Sequence, residues 1–189
     1  MTIDDMKRKL EGVLSSKRFM HSLGVMDTAV SLAKIYGEDV ERASIAGLLH
    51  DCAREIKGQA VFELCEEYNI NVDYITLTQP ELLHGPIGAV LASKEYGVED
   101  KGILGAIECH TTGKENMALL DKIIFISDYI EPGRKFPGVD EVRELAYRDL
   151  DRSIVISLDN TIRYILDKGV LIHPDTILAR NFIIKETMP

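Results

Sequence analysis

The chain has no tryptophan, and its 189 residues include only three cysteines and six prolines. Cys52, Cys65 and Cys109 are odd in number and widely spaced, which argues against a disulfide framework and a thiolate zinc site. We expect all three to be buried, reduced thiols. Also missing is any run of about 20 uninterrupted apolar residues, the length that a transmembrane helix requires. The first residues lack the apolar segment of a signal peptide, so the sequence predicts a cytoplasmic protein with no membrane partner.

Basic residues are fewer than acidic ones: the chain has 22 Lys and Arg and 31 Asp and Glu, which gives a formal net charge of −9. This balance excludes broad electrostatic attraction to nucleic acid, and we expect no nucleic-acid partner. It does not exclude a small anionic substrate, because bound metal ions can dominate the field within a site. The hydrophobic content of 46% is ordinary for a globular protein, and no low-complexity tract or linker divides the chain.

The dominant pattern of the sequence is a helical period of apolar residues. The run IIFI at 123–126 has the composition of a strand, but its helical neighbours and the lack of partner strands favour a helix. Capping residues and breakers delimit the segments: Thr2 begins the first, Gly37 ends the second, and a third begins near Asp39. Later helices are predicted at about 61–68, 86–97, 100–110, 117–130, 139–168 (with a break left open) and 175–185. The sequence therefore predicts an all-α fold.

Four of the five histidines and two aspartates lie at the ends or inner faces of apolar helices. They are His21, His50, Asp51, His84, His110 and Asp128. His21 shares a stripe with apolar residues of its helix, the pair His50-Asp51 follows the run ASIAGLL, and His110 closes GILGAIEC. Taken singly, each is best explained as a core histidine bonded to backbone, or as a cap or surface charge.

Taken together, these six residues favour a shared metal centre. Separate burial of four imidazoles and two carboxylates would cost roughly 1–3 kcal/mol for each group left unpaired, whereas one centre satisfies them all. Nitrogen and oxygen ligands without thiolate suit iron, manganese, cobalt or zinc. A carboxylate can bridge two ions and an imidazole binds one, so Asp51 is the natural bridge.

The ordered set of segments RFMHSLGV, AGLLHDCARE, LLHGPIGA, ECHTTG, SDYIEPGR and IHPDTILARN resembles the YqeK family of HD-domain metal-dependent phosphohydrolases. The resemblance spans about 18–181. It implies a single HD-domain helical bundle over 1–189 with the metal site between central helices. The metal-binding core would cover about 18–135, and C-terminal helices at about 139–186 would pack on it. It also implies symmetrical hydrolysis of diadenosine tetraphosphate, or a related dinucleoside polyphosphate, to two ADP.

The resemblance further implies individual roles. His21, His50, Asp51 and Asp128 would ligate a first ion, iron in this family. His84 and His110, with Asp51 bridging, would hold a second ion or else contact phosphate directly; the sequence leaves both open. Metal-bound hydroxide would attack phosphorus, and a His84 or His110 that is unbound or loosely held would protonate the leaving oxygen. The expected catalytic set is Asp51, Arg54, His84 and His110.

Basic and hydroxyl side chains near these residues fit a phosphate substrate on their own chemistry. Arg54 lies one helical turn after His50, and Arg134 follows the break after Asp128. Solvated surface charge is the competing interpretation, more so for Lys114 and Lys135. The expected substrate contacts are Arg54, His84, His110, Thr111, Thr112, Asp128 and Arg134. The roles of His173, which precedes a helix, and of Arg180 and Asn181 are left open.

Several rival functions remain at this point. One is another HD enzyme: a deoxynucleotide phosphatase, a guanosine-tetraphosphate hydrolase or a cyclic-nucleotide phosphodiesterase. A second is a metal-dependent nucleotide sensor without catalysis, and a third is a helical adaptor without metal. The expected partners are a nucleotide polyphosphate, with ADP or GDP as product-like ligands, and a second copy in a homodimer, inferred from the apolar surplus of the C-terminal helices.

Overall fold

The computed structural model describes residues 1–187 and confirms the all-α prediction, since no strand occurs within that range. The helices are α1 (Ile3–Glu11), α2 (Ser16–Tyr36), α3 (Val40–Leu49), α4 (Gln59–Glu67), α5 (Tyr74–Thr78), α6 (His84–Tyr96), α7 (Lys101–Cys109), α8 (Leu119–Ile130), α9 (Val139–Ala146), α10 (Leu150–Lys168) and α11 (Pro174–Thr187). A short 3₁₀ helix, Pro80–Leu83, precedes α6. The segment 123–126 lies inside α8, so the strand alternative is wrong.

Local capping explains most helix boundaries. The side chain of Thr2 accepts a hydrogen bond from the backbone N–H of Asp5 at the start of α1. Asp39 caps α3 in the same way, through the N–H of Arg42. Gly37 ends α2 with a φ of 78°, a left-handed conformation that glycine adopts without strain.

The structure shows one break that the prediction left open, and it adds one helix. The segment 139–168 is two helices, because Asp149 breaks away from helical geometry and its side chain caps the first turn of α10. The short helix α5 was not predicted, although Asp73 gives it a complete capping box with Thr76. The start of α10 and the presence of α5 both depend on an aspartate that caps the helix. The apolar periodicity alone does not reveal such a cap.

Helices α2, α3, α7 and α8 form the centre of the bundle, with α8 in contact with the other three. Ile123, Ile124 and Ile126 of α8 are fully buried, which explains why this helix is apolar on almost every side. The glycines of α3 and α6 allow close helix crossings: a Cβ at Gly47 would lie 2.9 Å from the Cα of Met26. Helix α10 packs against α8, α9 and α11. No helix within residues 1–187 has the length and apolar character needed to cross a membrane.

Candidate metal centre

The six residues singled out by the sequence come together where the central helices end. His21 lies within α2, His50 and Asp51 directly follow α3, and His84 is the first residue of α6. His110 directly follows α7, and Asp128 lies near the end of α8. Neighbouring imidazole rings meet edge to face, with centroids 4.9–5.2 Å apart.

One half of the cluster is formed by His21, His50 and Asp128. The Nε2 atom of His21 lies 2.9 Å from Oδ1 of Asp128 and 3.3 Å from Nε2 of His50. Asp51 faces this half with its Oδ2 atom, which is 3.6 Å from Nε2 of His50 and 3.7 Å from Nε2 of His21.

The other half is formed by His84 and His110. Their Nε2 atoms are 3.1 Å apart, and that of His84 lies 3.0 Å from Oδ1 of Asp51. The same oxygen is 3.8 Å from Nε2 of His110. The two carboxylate oxygens of Asp51 therefore face two different histidine pairs, which is the geometry of a bridging ligand.

Hydrogen bonds at Nδ1 fix the orientation of each imidazole. Nδ1 of His50 lies 2.8 Å from the carbonyl oxygen of Gly47, and Nδ1 of His110 lies 2.7 Å from that of Ile107. His84 makes the equivalent contact with the Glu81 carbonyl. A carbonyl oxygen only accepts, so Nδ1 carries the proton and the Nε2 lone pair points into the cluster.

The Nε2 lone pairs of His84 and His110 face each other at 3.1 Å and cannot bond, and a cation between them removes the conflict. Three overlapping groups have ligand atoms within 4.8 Å of one another. They are His21, His50 and Asp51; His50, His110 and Asp128; and Asp51, His84 and His110. The residues present thus fit a divalent metal centre of nitrogen and oxygen ligands.

The charge state of the cluster also suits metal binding. Burial lowers the pKa of His110 to about 3 and lowers that of His50, so both rings are neutral at pH 7. Burial would raise the pKa of Asp51, but the electrostatic effect of the adjacent His50 and the close contact with His84 outweigh it and hold the pKa far below its usual range. At Asp128, the hydrogen bond from His21 outweighs burial and lowers the pKa likewise. The site therefore presents two carboxylates together with the neutral rings of His50 and His110.

Two residues at the cluster were missed by the sequence analysis. Glu131 is buried, and its Oε1 atom lies 3.0 Å from Nδ1 of His21, where the other histidines use a backbone carbonyl. Arg18 donates to Oδ2 of Asp51 at 2.8 Å. Arg18 lies one helical turn before His21, and this spacing puts both residues on one face of α2. The sequence could therefore have indicated that Arg18 lies near the cluster. No periodicity in the sequence pointed to Glu131.

The residues predicted to contact the substrate line different cavities around the cluster. The guanidinium of Arg134 donates to the backbone carbonyl of Asp128 at 2.8 Å and also to the Asp128 carboxylate. Arg54 lies in a cavity of about 460 Å³ that Arg18 also lines, and its guanidinium is 3.5 Å from the Glu81 carbonyl. Thr111 lines a cavity of about 680 Å³ beside His110. Arg54 thus shares a cavity with Arg18, and Arg134 is not among the described residues that line it.

Other polar residues have structural partners. Thr112 donates to the carbonyl of Gly113 within its own turn, and Lys114 pairs with Asp121 at 2.7 Å. Nδ1 of His173 accepts from the backbone N–H of Asp175 at the start of α11. Arg180 pairs with Asp159 and also donates to Asn181. The structure therefore gives these residues roles at turns, helix starts and ion pairs.

Comparison with known proteins places these features in a family. The HD domain family model matches residues 18–133. A protein of Halalkalibacterium halodurans is 44% identical over 92% of both chains, and one of Bacillus subtilis is 40% identical over 90% of this chain and 91% of its own. Both are named "Bis(5'-nucleosyl)-tetraphosphatase, symmetrical".

A solved structure supports the same relationship. It comes from Clostridium acetobutylicum and is described as a predicted HD superfamily hydrolase involved in NAD metabolism. It is 49% identical in sequence, covers 99% of each chain, and superposes with a TM-score of 0.96. The chain therefore belongs to the HD domain family and, within it, to the family of these bacterial tetraphosphatases.

Proposed function

We propose that this protein is a metal-dependent hydrolase that cleaves diadenosine tetraphosphate, or a related dinucleoside polyphosphate, symmetrically to two nucleoside diphosphates. The observation that carries the proposal is the position of Asp51, whose two oxygens face separate histidine pairs. Relatives at 40–44% identity that carry the name of this activity over 90% or more of the chain support it.

The ligands that we propose for the ions follow from these distances. A first ion would be held by His21, His50, Asp51 and Asp128, and a second by Asp51, His84 and His110. We propose iron, with manganese, cobalt and zinc as alternatives that share this preference for imidazole and carboxylate. When bound, such ions lower the pKa of water toward neutrality and screen the charge of phosphoryl oxygens.

Arginines would bind the polyphosphate. The Arg18 side chain is 31% exposed, and it lines both the cavity of Arg54 and one of about 770 Å³ that also holds Arg134. Lys17 lines the same two cavities, so positive charge is concentrated beside the cluster in a chain of net charge −9. Guanidinium groups bind phosphate oxygens in a bidentate manner, and we assign Arg18, Arg54 and Arg134 to this role.

Of the two candidate proton donors, His84 fits better than His110. His110 is buried, and its pKa is lowered to about 3, so at pH 7 its Nε2 carries no proton to give. The His84 side chain is 11% exposed and lies at the rim of the cluster, 3.0 Å from Asp51. We propose that His84, when it is not bound to the second ion and carries a proton on Nε2, gives that proton to the leaving oxygen, and that Thr111 donates a hydrogen bond to phosphate.

The proposal also covers the domain organisation, the location and the oligomeric state of the protein. We propose that residues 1–189 act as one HD domain, with the C-terminal helices packed on the metal-binding core. A cytoplasmic location is favoured by three buried cysteines that are all free thiols. A homodimer is favoured by exposed apolar side chains near α10 and α11. These are Leu166, Val170, Leu171 and Leu178.

Product analysis tests this function. The purified protein, supplied with iron or manganese, should convert diadenosine tetraphosphate to ADP alone, whereas AMP together with ATP would contradict symmetrical cleavage. Asp51→Ala should lose more than about 100-fold of the activity and most of the bound metal by elemental analysis, because it removes the bridge. The matched control Asp167→Ala, at an exposed position of α10, should keep both. Full turnover in Asp51→Ala would show that the site is elsewhere.

A further inference from the structure

Residues 171–179 lead into α11 and form its first turns, and they contact the chain next to both histidines of the second proposed ion. We call them the entry segment. We propose that the entry segment positions His84 and His110 for that ion, and that His173 and Gln79 are the positioning residues. The proposal rests on the proposed function, because the second ion belongs to it. It adds a part of the chain beyond residues 18–133, which match the HD domain.

His173 connects the start of α11 with the start of α5. Its Nδ1 atom accepts from the backbone N–H of Asp175 at 3.2 Å, so the proton of the neutral ring is on Nε2. This Nε2 atom lies 3.3 Å from Oδ2 of Asp73. The Oδ1 atom of Asp73 accepts from the backbone N–H groups of Ile75 and Thr76, at 2.8 and 2.7 Å. The same aspartate therefore caps α5 and faces the entry segment.

Gln79 makes a second contact between the entry segment and this part of the chain. Its side-chain amide donates to the carbonyl oxygen of Leu171 at 2.9 Å. The 3₁₀ helix Pro80–Leu83 begins directly after Gln79, and His84 follows that helix at once. The carbonyl of Glu81, within the 3₁₀ helix, orients Nδ1 of His84. A displacement of Gln79 would therefore change the direction of the His84 ring.

The apolar side chains of α5 do little to fix its position. Tyr74 and Leu77 are 72% and 60% exposed. A helix of five residues is also too short to be stable by itself. The surroundings of His173 are open, because this residue lines a cavity of about 670 Å³. The position of α5 therefore depends on the polar contacts at its two ends, which His173 and Gln79 provide.

The entry segment also packs against the turn that follows His110. Gly113 in this turn has a φ of 70°, and a Cβ at its position would lie 2.9 Å from the Cβ of Ala179. The N–H of Gly113 donates to the carbonyl of Cys109 at 2.8 Å, so the turn continues directly from the end of α7. Ala179 is fully buried. One segment thus contacts the surroundings of both histidines that would hold the second ion.

Manganese titration of the full chain tests the proposal. The double variant His173→Ala/Gln79→Ala removes both polar contacts. We expect binding of the second Mn²⁺ to weaken by at least about 10-fold and binding of the first to stay within about twofold of wild type, because only His84 and His110 lose support. His173→Gln alone should bind both ions as wild type does, since a glutamine amide can donate to Asp73 in place of Nε2.

Two further variants identify the ion that is weakened. His84→Ala removes a ligand of the second ion, so adding the double substitution to it should leave the affinity of the remaining ion unchanged. Gln59→Ala, at an exposed position of α4, is the control for the loss of a glutamine side chain. It should bind both ions with the affinities of wild type.

Hydrogen exchange of the metal-free protein gives a second measurement that depends on neither metal nor turnover. Backbone amides of residues 74–83 should exchange at least about 10-fold faster in the double variant, because the contacts that hold this segment are gone. Amides of α8 should keep their wild-type rates. This difference separates local loosening from a general loss of stability.

Four results would overturn the proposal. They are a wild type that binds only one Mn²⁺, a second-ion affinity in the double variant that is unchanged or falls together with the first, unchanged exchange at 74–83, and a His173→Gln variant as weak as the double variant. Turnover enters none of them. If the second ion depends on His173 but the tetraphosphate is not cleaved, the hydrolase proposal fails and the role of the entry segment stands.

Discussion

At the scale of single residues, the cluster is built on one repeated contact. His50, His84 and His110 each direct Nδ1 at the carbonyl oxygen three residues before, at the end of a helical turn. For His50 and His110 this carbonyl lies in the last turn of an α-helix, where carbonyls have no partner along the helix, so the contact satisfies it and directs Nε2 into the cluster. His21 lies in the interior of α2, where the carbonyls are already bonded, and Glu131 takes their place.

Glu131 should therefore set the metal affinity through His21. Glu131→Gln keeps an oxygen that can accept from Nδ1 but removes the charge that makes the imidazole a stronger ligand. We expect the metal affinity to fall by about 10-fold, and by up to about 100-fold for Glu131→Ala. Competition with a chromophoric chelator measures this directly, without reference to turnover.

The matched control for this substitution is Glu141→Gln, at an exposed position of α9. Its metal affinity should equal that of wild type. Equal affinities in Glu131→Gln, Glu131→Ala and wild type would show that Glu131 only fills space beside Gly24, where its carboxylate lies 2.7 Å from the position of an added Cβ.

At the scale of helices, the second half of the cluster depends on the crossing of α6 and α7. Gly85 directly follows His84, and a Cβ at this position would lie 2.5 Å from the carbonyl oxygen of Glu108. Glu108 is two residues before His110. The closest approach of the two helices is therefore next to both histidines, and the glycine sets the distance between them.

Gly85→Ala should move α6 away from α7. We expect a loss of about 1–3 kcal/mol in the free energy of unfolding, as for other overpacked contacts. Metal titration should show that the ion held by His84 and His110 is lost or weakened, whereas the ion held by His21 and Asp128 is retained. Thermal melting and metal stoichiometry measure the two effects.

Gly12→Ala is the control, because Gly12 has a φ of −75° and its nearest neighbour to an added Cβ is 3.4 Å away. Its stability should change by no more than about 0.5 kcal/mol. If Gly85→Ala melts like Gly12→Ala and still binds both ions, the close crossing does not control the site.

At the scale of the whole molecule, the cluster couples folding to pH. The pKa of His110 is lowered from 6.5 to about 3, so the unfolded chain takes up a proton below pH 6.5 that the folded chain refuses until about pH 3. His50 acts in the same direction. The stability provided by Asp51 and Asp128, whose pKa values are depressed, is present near neutral pH and is also lost at lower pH. His21, with a raised pKa, opposes them in part, since its stability is complete at low pH and is lost as pH rises through that pKa.

The metal-free protein should therefore lose stability as pH falls from 7 to 4. His110→Asn, which removes one titrating group, should flatten this slope by up to about 1.4 kcal/mol per pH unit. Denaturant unfolding after chelation measures the slope. The control Gln59→Ala, at an exposed position of α4 that carries no titrating group, should leave the slope unchanged, and an unchanged slope in His110→Asn would contradict the coupling.

The sequence by itself determined the all-α class, most helix boundaries and the identity of the cluster. Apolar periodicity and caps such as Thr2 and Asp39 act within a few residues, so they are legible in the chain. The six cluster residues were found because each lies at the end or inner face of an apolar helix, where an unpaired polar group is costly.

Only the tertiary structure decided how these residues work together. Two contacts show this: the Asp51 oxygens face different histidine pairs, and Glu131 contacts His21, which is 110 residues away along the chain. Such contacts depend on how α2, α6, α7 and α8 cross, and no local pattern encodes that crossing. The residues that provide the chemistry of the site can thus be identified in the sequence, whereas the packing of the helices sets the distances between them.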